Sequence, residues 1–281
     1  MLLFHIGLPK TATTFVQYRI FQPAVGHRFL HRRAPGDGET VCKLVKALIR
    51  AEGEEDASLL HDIAQLLKPY ANGTTTIITD EGISLGPVDF WTGEAPTPAR
   101  VAKGLSSIRA ALAGLFPEIR VVIGVRRQDS WLPSRYAQSS KSMKEFGQED
   151  FDRRALEIAA GPLRGPIEWL NYSVVRSLFA AEFGEDNLLI YSMEKLREDP
   201  DGVLGELGRF AGNLDFVGYR DQAVASGEPL FENILSVGED AWKLAGKRGT
   251  LTLKPHIRSA LIARFAASNE AAGRHIDLRF G

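Results

Sequence analysis

Four short apolar runs, Leu2–Ile6, Thr74–Thr79, Ile119–Val125 and Leu188–Tyr191, constrain this chain more than any other feature. Each has the length and aliphatic make-up of a strand buried on both faces of a parallel sheet. Helical periods fill the gaps. Val101, Leu105, Ile108, Leu112 and Leu115 form a stripe at alternating steps of four and three residues. Ile167, Leu170, Val174 and Leu178 form a second stripe, Val203, Leu204, Leu207 and Phe210 a third, and Ile257, Leu261 and Phe265 a fourth. Gly26–Asn72 reads as a basic loop, His27–Gly38, followed by helix, and Gly82–Pro98 as a loop. The alternation predicts an α/β chain: a three-layer sandwich with a central, mostly parallel sheet and helices on both faces. At 281 residues it is expected to be one domain, 1–281, with helical or loop insertions at 26–73 and 140–165.

Composition narrows the function. The formal net charge is −1 with no block of like charge, which argues against a nucleic-acid surface and leaves room for a local anion pocket. The single cysteine, Cys42, excludes an internal disulfide and a cysteine-rich metal site. No apolar run has the length of a membrane span. The expectation is a soluble, cytoplasmic protein.

The first run leads into the most informative stretch, FHIGLPKTATTFVQ (Phe4–Gln17). A Gly-Leu-Pro turn is followed by Lys10, the hydroxyls of Thr11, Thr13 and Thr14, and an amphipathic helix. A strand, a tight turn and a helix N-terminus make an anion site, because the first helical N–H groups lack internal partners. The loop is P-loop-like without being a Walker A motif: Lys10 comes three residues after Gly7, and no Gly-Lys-Ser/Thr occurs.

Ligands of open parallel sheets bind beyond the carboxyl ends of the strands. Here the first strand ends in Lys10 and its threonines, the second in Asp80-Glu81, and the third in Arg126-Arg127 ahead of a helix carrying Ser134. Three strand ends thus offer a cation, a carboxylate, and a cation with a hydroxyl. A guanidinium at a strand end and a hydroxyl in the next helix can both reach one phosphate. Arg127 competes with Arg126 for that place.

Pro9-Lys10-Thr11-Ala12-Thr13-Thr14 resembles the P-K-[ST]-G-T-T loop of sulfotransferases that use 3′-phosphoadenosine 5′-phosphosulfate (PAPS). Ala12 stands where that family has glycine, which suits a loop with negative φ there. VIGVRRQDSWLPSRY is similar to the family's arginine and serine, eight residues apart, that hold the 3′-phosphate. Gly184–Gly212 resembles its strand, Y-E-D-L, D-P and helix segment, with Asp199-Pro200 opening the helix and Glu194 as a fold residue. Lys247-Arg248-Gly249 resembles the basic loop that closes over the 3′-phosphate. The likeness is greatest to bacterial and carbohydrate-directed members.

The resemblance implies a sulfotransferase that moves a sulfuryl group from PAPS to a hydroxyl or amine of a glycan or small metabolite, leaving 3′,5′-ADP and needing no metal. Lys10 would be catalytic. Lys10, Thr11, Ala12, Thr13, Thr14, Arg126, Ser134, Lys247, Arg248 and Gly249 would bind the nucleotide. Carbohydrate-directed members carry a catalytic glutamate after the second strand, which selects Glu81 as base, with Asp80, His27 and His31 as alternatives. His5, in the first strand, is expected to pack or bond to backbone. Trp91, Trp131, Tyr136, Phe146 and Phe151 are candidates for an acceptor pocket or for the core. A P-loop-like nucleotide kinase and a non-catalytic nucleotide-binding protein of the same fold are the competing readings; oligomeric state is left open.

Overall fold

A computed structural model describes residues 1–34, 36–51, 57–86, 89–225, 236–238 and 240–272. Five parallel strands form the main sheet: β1 (Leu2–His5), β2 (His27–His31), β3 (Thr75–Thr79), β4 (Ile119–Val125) and β5 (Leu188–Ser192). Their order is β2-β3-β1-β4-β5. The chain leaves β1 toward β2 and β3 and then crosses back to β4, so the ends of β1 and β4 flank the point where strand order reverses.

Helices cover both faces. They are α1 (Thr13–Phe15, continued by a π-turn, Val16–Phe21), α2 (Asp37–Arg50), α3 (Ala57–Leu67), α4 (Asp89–Thr92), α5 (Pro98–Leu112) and α6 (Gln128–Ser139). Beyond them lie α7 (Gln148–Ala160), α8 (Tyr172–Phe183), α9 (Met193–Glu198), α10 (Pro200–Phe210), α11 (Phe216–Ala225) and α12 (Pro255–Ala272). Side chains alternate across a strand. Leu2, Phe4, Val121 and Ile123 therefore face one core with Val101, Leu105, Ile108, Phe179 and Leu261. Leu3, Ile77, Val122 and Leu189 face the other, with Val16, Ile20, Leu204, Leu207 and Phe216. Burying each such aliphatic side chain contributes about 1.5–3 kcal/mol.

Three sequence expectations change. The basic loop from His27 begins as β2, whose His27–His31 pair with Thr75–Thr79. An edge strand tolerates its charged and polar residues. The stripe from Ile167 to Leu178 is two elements: a 3₁₀ turn, Gly165–Leu170, stops at Asn171, whose side chain accepts the Val174 N–H and starts α8. Within Gly82–Pro98, α4 interrupts the expected loop. A small antiparallel sheet, β6 (Ser236–Gly238), β7 (Ala241–Lys243) and β8 (Thr250–Thr252), was not foreseen. Asp199 does open α10, accepting the Gly202 N–H at 2.9 Å with Pro200 next. Among the described residues no helix is long and apolar enough to cross a membrane.

Candidate anion-binding site at the strand ends

The loop after β1 continues the ladder to β4, with Ile6 N–H donating to Val122 and Leu8 N–H to Gly124. The approach is close. A Cβ on Gly124 would lie 2.8 Å from the Tyr191 hydroxyl and 3.1 Å from Thr11 Oγ1, and one on Gly7 would lie 3.0 Å from Gly124 N. Glycine inside a β-branched strand signals such contact, and Ile119–Val125 carried that signal in its sequence.

Three consecutive carbonyls of the loop are held from within. Thr11 Oγ1 donates to Leu8 O at 2.6 Å, the Trp131 indole to Pro9 O at 2.7 Å, and Arg126 Nη1 to Lys10 O at 3.3 Å. The N–H groups of residues 10 to 14 bond to no acceptor among the described residues. Lys10 and Ala12 both have left-handed backbones, φ 69° and 61°, on either side of Thr11. Alternating backbone hand turns successive N–H groups into one concavity, which favours anions. The expected negative φ at Ala12 is therefore wrong: the position needs the conformation that glycine adopts freely, and alanine holds it under strain.

Cations gather at this cradle. Lys10 is partly buried, and its ammonium has no carboxylate partner among the described residues. Burial, then the nearby Arg126 and Arg135, push its pKa down to about 8. Arg126 is buried, donates from Nε to Ser130 at 2.9 Å, and burial brings its own pKa down to about 10. Arg127 instead grips Asp129 through two hydrogen bonds, 2.7 and 2.8 Å. Arg126 is bonded to the Lys10 loop. Arg135 is buried and donates to Gly86 O and Gln138 Oε1. Sequence reasoning missed it; its one trace is that Trp131, Ser134 and Arg135 share a face of α6. Ser134 is fully buried, and its Oγ has no hydrogen-bond partner among the described residues. Thr11 spends its hydroxyl on the loop, Thr13 is buried, and Thr14 is exposed.

The end of β3 carries paired charges. Asp80 is buried, caps the next turn through the Gly82 N–H at 2.7 Å, and binds Lys46 at 2.8 Å and Arg32 at 3.2 Å. Asp80 is thus committed to structure. Glu81 remains 16% exposed, with Oε1 on Arg32 and Oε2 on Gln17 Nε2 at 3.1 Å. Gln17 also donates to Thr79 Oγ1 at 3.0 Å, and Thr79 meets His5 Nδ1 at 2.8 Å. His5 Nε2 meets the Tyr191 hydroxyl at 3.0 Å. His5 packs as expected, edge-on to Phe21 with ring centroids 5.2 Å apart, while its ring nitrogens bond to side chains instead of backbone, and burial pushes its pKa down to about 3. Burial also lowers His27 and His31.

Of the aromatics left open between pocket and core, most are core. Trp131, Tyr136 and Phe151 are fully buried, and Trp91 packs edge-on against Tyr136 with ring centroids 5.3 Å apart. Lys247, Arg248 and Gly249 form the exposed turn between β7 and β8, with the Lys247 ammonium 4.7 Å from the Phe146 ring centroid. The turn is fixed to α6 by Ala245 N–H on Ala137 O. No hydrogen bond or ion pair joins it to the Lys10 loop among the described residues.

No protein-family profile and no curated protein matches this chain. Solved structures of similar shape include the following two. A sulfotransferase from Alicyclobacillus acidocaldarius is 11% identical, with a TM-score of 0.45 over 96% of this chain and 93% of that one. The sulfotransferase domain from the curacin biosynthetic pathway is 13% identical, with a TM-score of 0.36 over 75% of this chain and 73% of that one. Likeness of that grade carries no functional weight, which leaves the chemistry to the residues.

Proposed function

We propose that this chain is a sulfotransferase, taking a sulfuryl group from PAPS to a hydroxyl or amine of a carbohydrate or small metabolite. The observation that carries the reading is the gathering of Lys10, Arg126 and Arg135 at a cradle of N–H groups that have no acceptor among the described residues, at the sheet's switch point. Like charges repel in the free protein, and an anion relieves that repulsion.

The donor set suits an anionic nucleotide. The N–H groups of residues 10–14 and the Lys10 ammonium would hold the 5′-phosphosulfate. Arg126 and the Ser134 hydroxyl, which has no partner among the described residues, would hold the 3′-phosphate, and Lys247, Arg248 and Gly249 would add to it from the hairpin turn. PAPS would supply the activated sulfuryl group and leave as 3′,5′-ADP. Lys10 stabilises negative charge on the leaving oxygen, where one such donor is worth about 3–4 kcal/mol. Glu81, held by Arg32 and Gln17, takes the acceptor's proton.

Titration calorimetry with 3′,5′-ADP in EDTA, against ATP with Mg²⁺, tests the nucleotide, and a screen of glycans and small metabolites with PAPS tests the transfer. Absence of 3′,5′-ADP binding at millimolar concentration would sink the proposal.

A further inference from the structure

Arg126 follows β4 and stands two residues ahead of α6. Its backbone is anchored by the buried Tyr172 hydroxyl, which donates to Arg126 O. Its guanidinium is held at two further points. Nε donates to Ser130 Oγ at 2.9 Å, and Nη1 donates to Lys10 O at 3.3 Å. Both acceptors are neutral. Glu194 and Asp129 act on the guanidinium through space, but no hydrogen bond or ion pair joins either to it among the described residues. Glu194 Oε1 accepts the Arg127 N–H at 3.2 Å, and Asp129 grips the Arg127 guanidinium. A guanidinium carries five N–H donors. Two are spent on the protein, and the other three, both on Nη2 included, have no acceptor among the described residues. A buried cation with neutral supports and open donors suits an incoming anion.

Ser130 is the third residue of α6 and is half-buried. Its hydroxyl has one proton to give, and that proton goes to Arg127 O at 3.1 Å. The oxygen therefore presents only lone pairs to Arg126 Nε. A serine bonded to the carbonyl three residues back is ordinary in a first turn. The bond from Arg126 is what this position adds. With Nε occupied, the guanidinium is left to grip through its Nη groups. A planar fork that is already aimed loses little freedom when it binds.

We propose that Ser130 is a positioning residue for the 3′-phosphate: it holds the Arg126 fork in place before the nucleotide arrives, and so sets the preference for nucleotides phosphorylated at the 3′ position over those that are not. The inference rests on the nucleotide reading above, in which Arg126 holds that phosphate, and adds the residue that aims it. Ser130 acts through Arg126 and not on the ligand.

Calorimetry on the full chain compares 3′,5′-ADP, titrated directly, with 5′-AMP, titrated by displacement of 3′,5′-ADP. The two differ by the 3′-phosphate alone, so the ratio of their affinities reads what that phosphate adds. In Ser130→Ala the ratio should fall about fivefold or more, through weaker binding of 3′,5′-ADP, while 5′-AMP stays within about twofold of wild type. Ser130→Thr keeps the hydroxyl and should keep the ratio within about twofold. Arg126→Lys retains a cation, lacks Nε and should lower the ratio by itself. Adding Ser130→Ala to it should lower the ratio no further, because the serine acts through that nitrogen. An unchanged ratio in Ser130→Ala, an equal loss for both nucleotides, or a full further loss in the Arg126→Lys background overturns the positioning role. If Ser130→Ala does not fold, Ser130→Cys replaces it with the same expectation, since a thiol accepts poorly. If wild type binds no 3′,5′-ADP, the nucleotide reading itself fails, an outcome distinct from binding that Ser130→Ala leaves unchanged.

Discussion

Gln17 Nε2 lies 3.1 Å from Glu81 Oε2, so the helix that follows the Lys10 loop also holds the carboxylate at the end of β3. The π-turn at Val16–Phe21 sets the rotation of that helix segment, and Gln17 stands at its second residue. Cation loop and carboxylate are thereby tied into one unit.

Glu81→Gln keeps this shape and removes the base. Transfer to whichever acceptor the screen returns should fall by about 10²-fold or more. Binding of 3′,5′-ADP, followed by calorimetry, should stay within a few-fold of wild type. His27→Ala and His31→Ala should keep most of the rate. An active Glu81→Gln with a dead histidine variant would move the base to that histidine.

The loop's strain predicts two substitutions of opposite sign. Ala12→Gly should stabilise by about 0.5–1 kcal/mol, because relief of the left-handed alanine exceeds the extra entropy of unfolded glycine. Gly124→Ala should destabilise by about 1–3 kcal/mol, since its methyl would meet the Tyr191 hydroxyl at 2.8 Å. Urea denaturation of both variants gives the comparison. A stabilised Gly124→Ala would contradict the packing at that crossing.

Lys10→Ala should cost nucleotide affinity and leave thermal stability unchanged or raised. The substitution removes a cation repelled by Arg126 and Arg135 and breaks no ion pair among the described residues. With its pKa near 8, the wild-type lysine is charged below that pH and discharges above it. Binding an anion favours the charged form, so affinity for 3′,5′-ADP should decline as pH rises past about 8. Lys10→Ala should lack that decline. A large fall in melting temperature with nucleotide affinity intact would overturn the role given to Lys10.

The residues that sequence made legible are those whose signal is local. The strands β1, β3, β4 and β5 announced themselves because burial on both faces requires unbroken aliphatic runs. The α5 stripe from Val101 to Leu112 followed from its period. Strand ends then pointed to Lys10, Glu81 and Arg126. β2 escaped because an edge strand has no such requirement, and HRFLH carries as much charge as a loop. The left-handed Ala12 lies in a loop whose Pro9 and Lys10 carbonyls are held by Trp131 and Arg126, more than a hundred residues away. Arg135 and Gln17 are tertiary findings for the same reason. Trp131 and Tyr136 read as pocket or core until burial decided for core.

Fold stability should itself depend on pH through His5. Its folded pKa, about 3, lies below the ordinary 6.5 because the ring is buried between Thr79 and Tyr191. The unfolded chain therefore binds a proton that the native chain refuses. The stabilisation is fully present above pH 6.5 and is lost as pH falls toward 3. For one proton the slope is about 1.4 kcal/mol per pH unit, or about 2 kcal/mol between pH 6.5 and pH 5. His27 and His31 are lowered too and act in the same direction. Glu194, raised by burial, opposes them. Urea midpoints of wild type and His5→Gln between pH 8 and pH 5 isolate the His5 share. The variant starts less stable, since glutamine fits the Thr79–Tyr191 gap poorly, yet its slope below pH 6.5 should be shallower by close to one proton. Parallel curves would mean that His5 is protonated in the native protein, and that the chain from Tyr191 to Glu81 carries a charge at its centre.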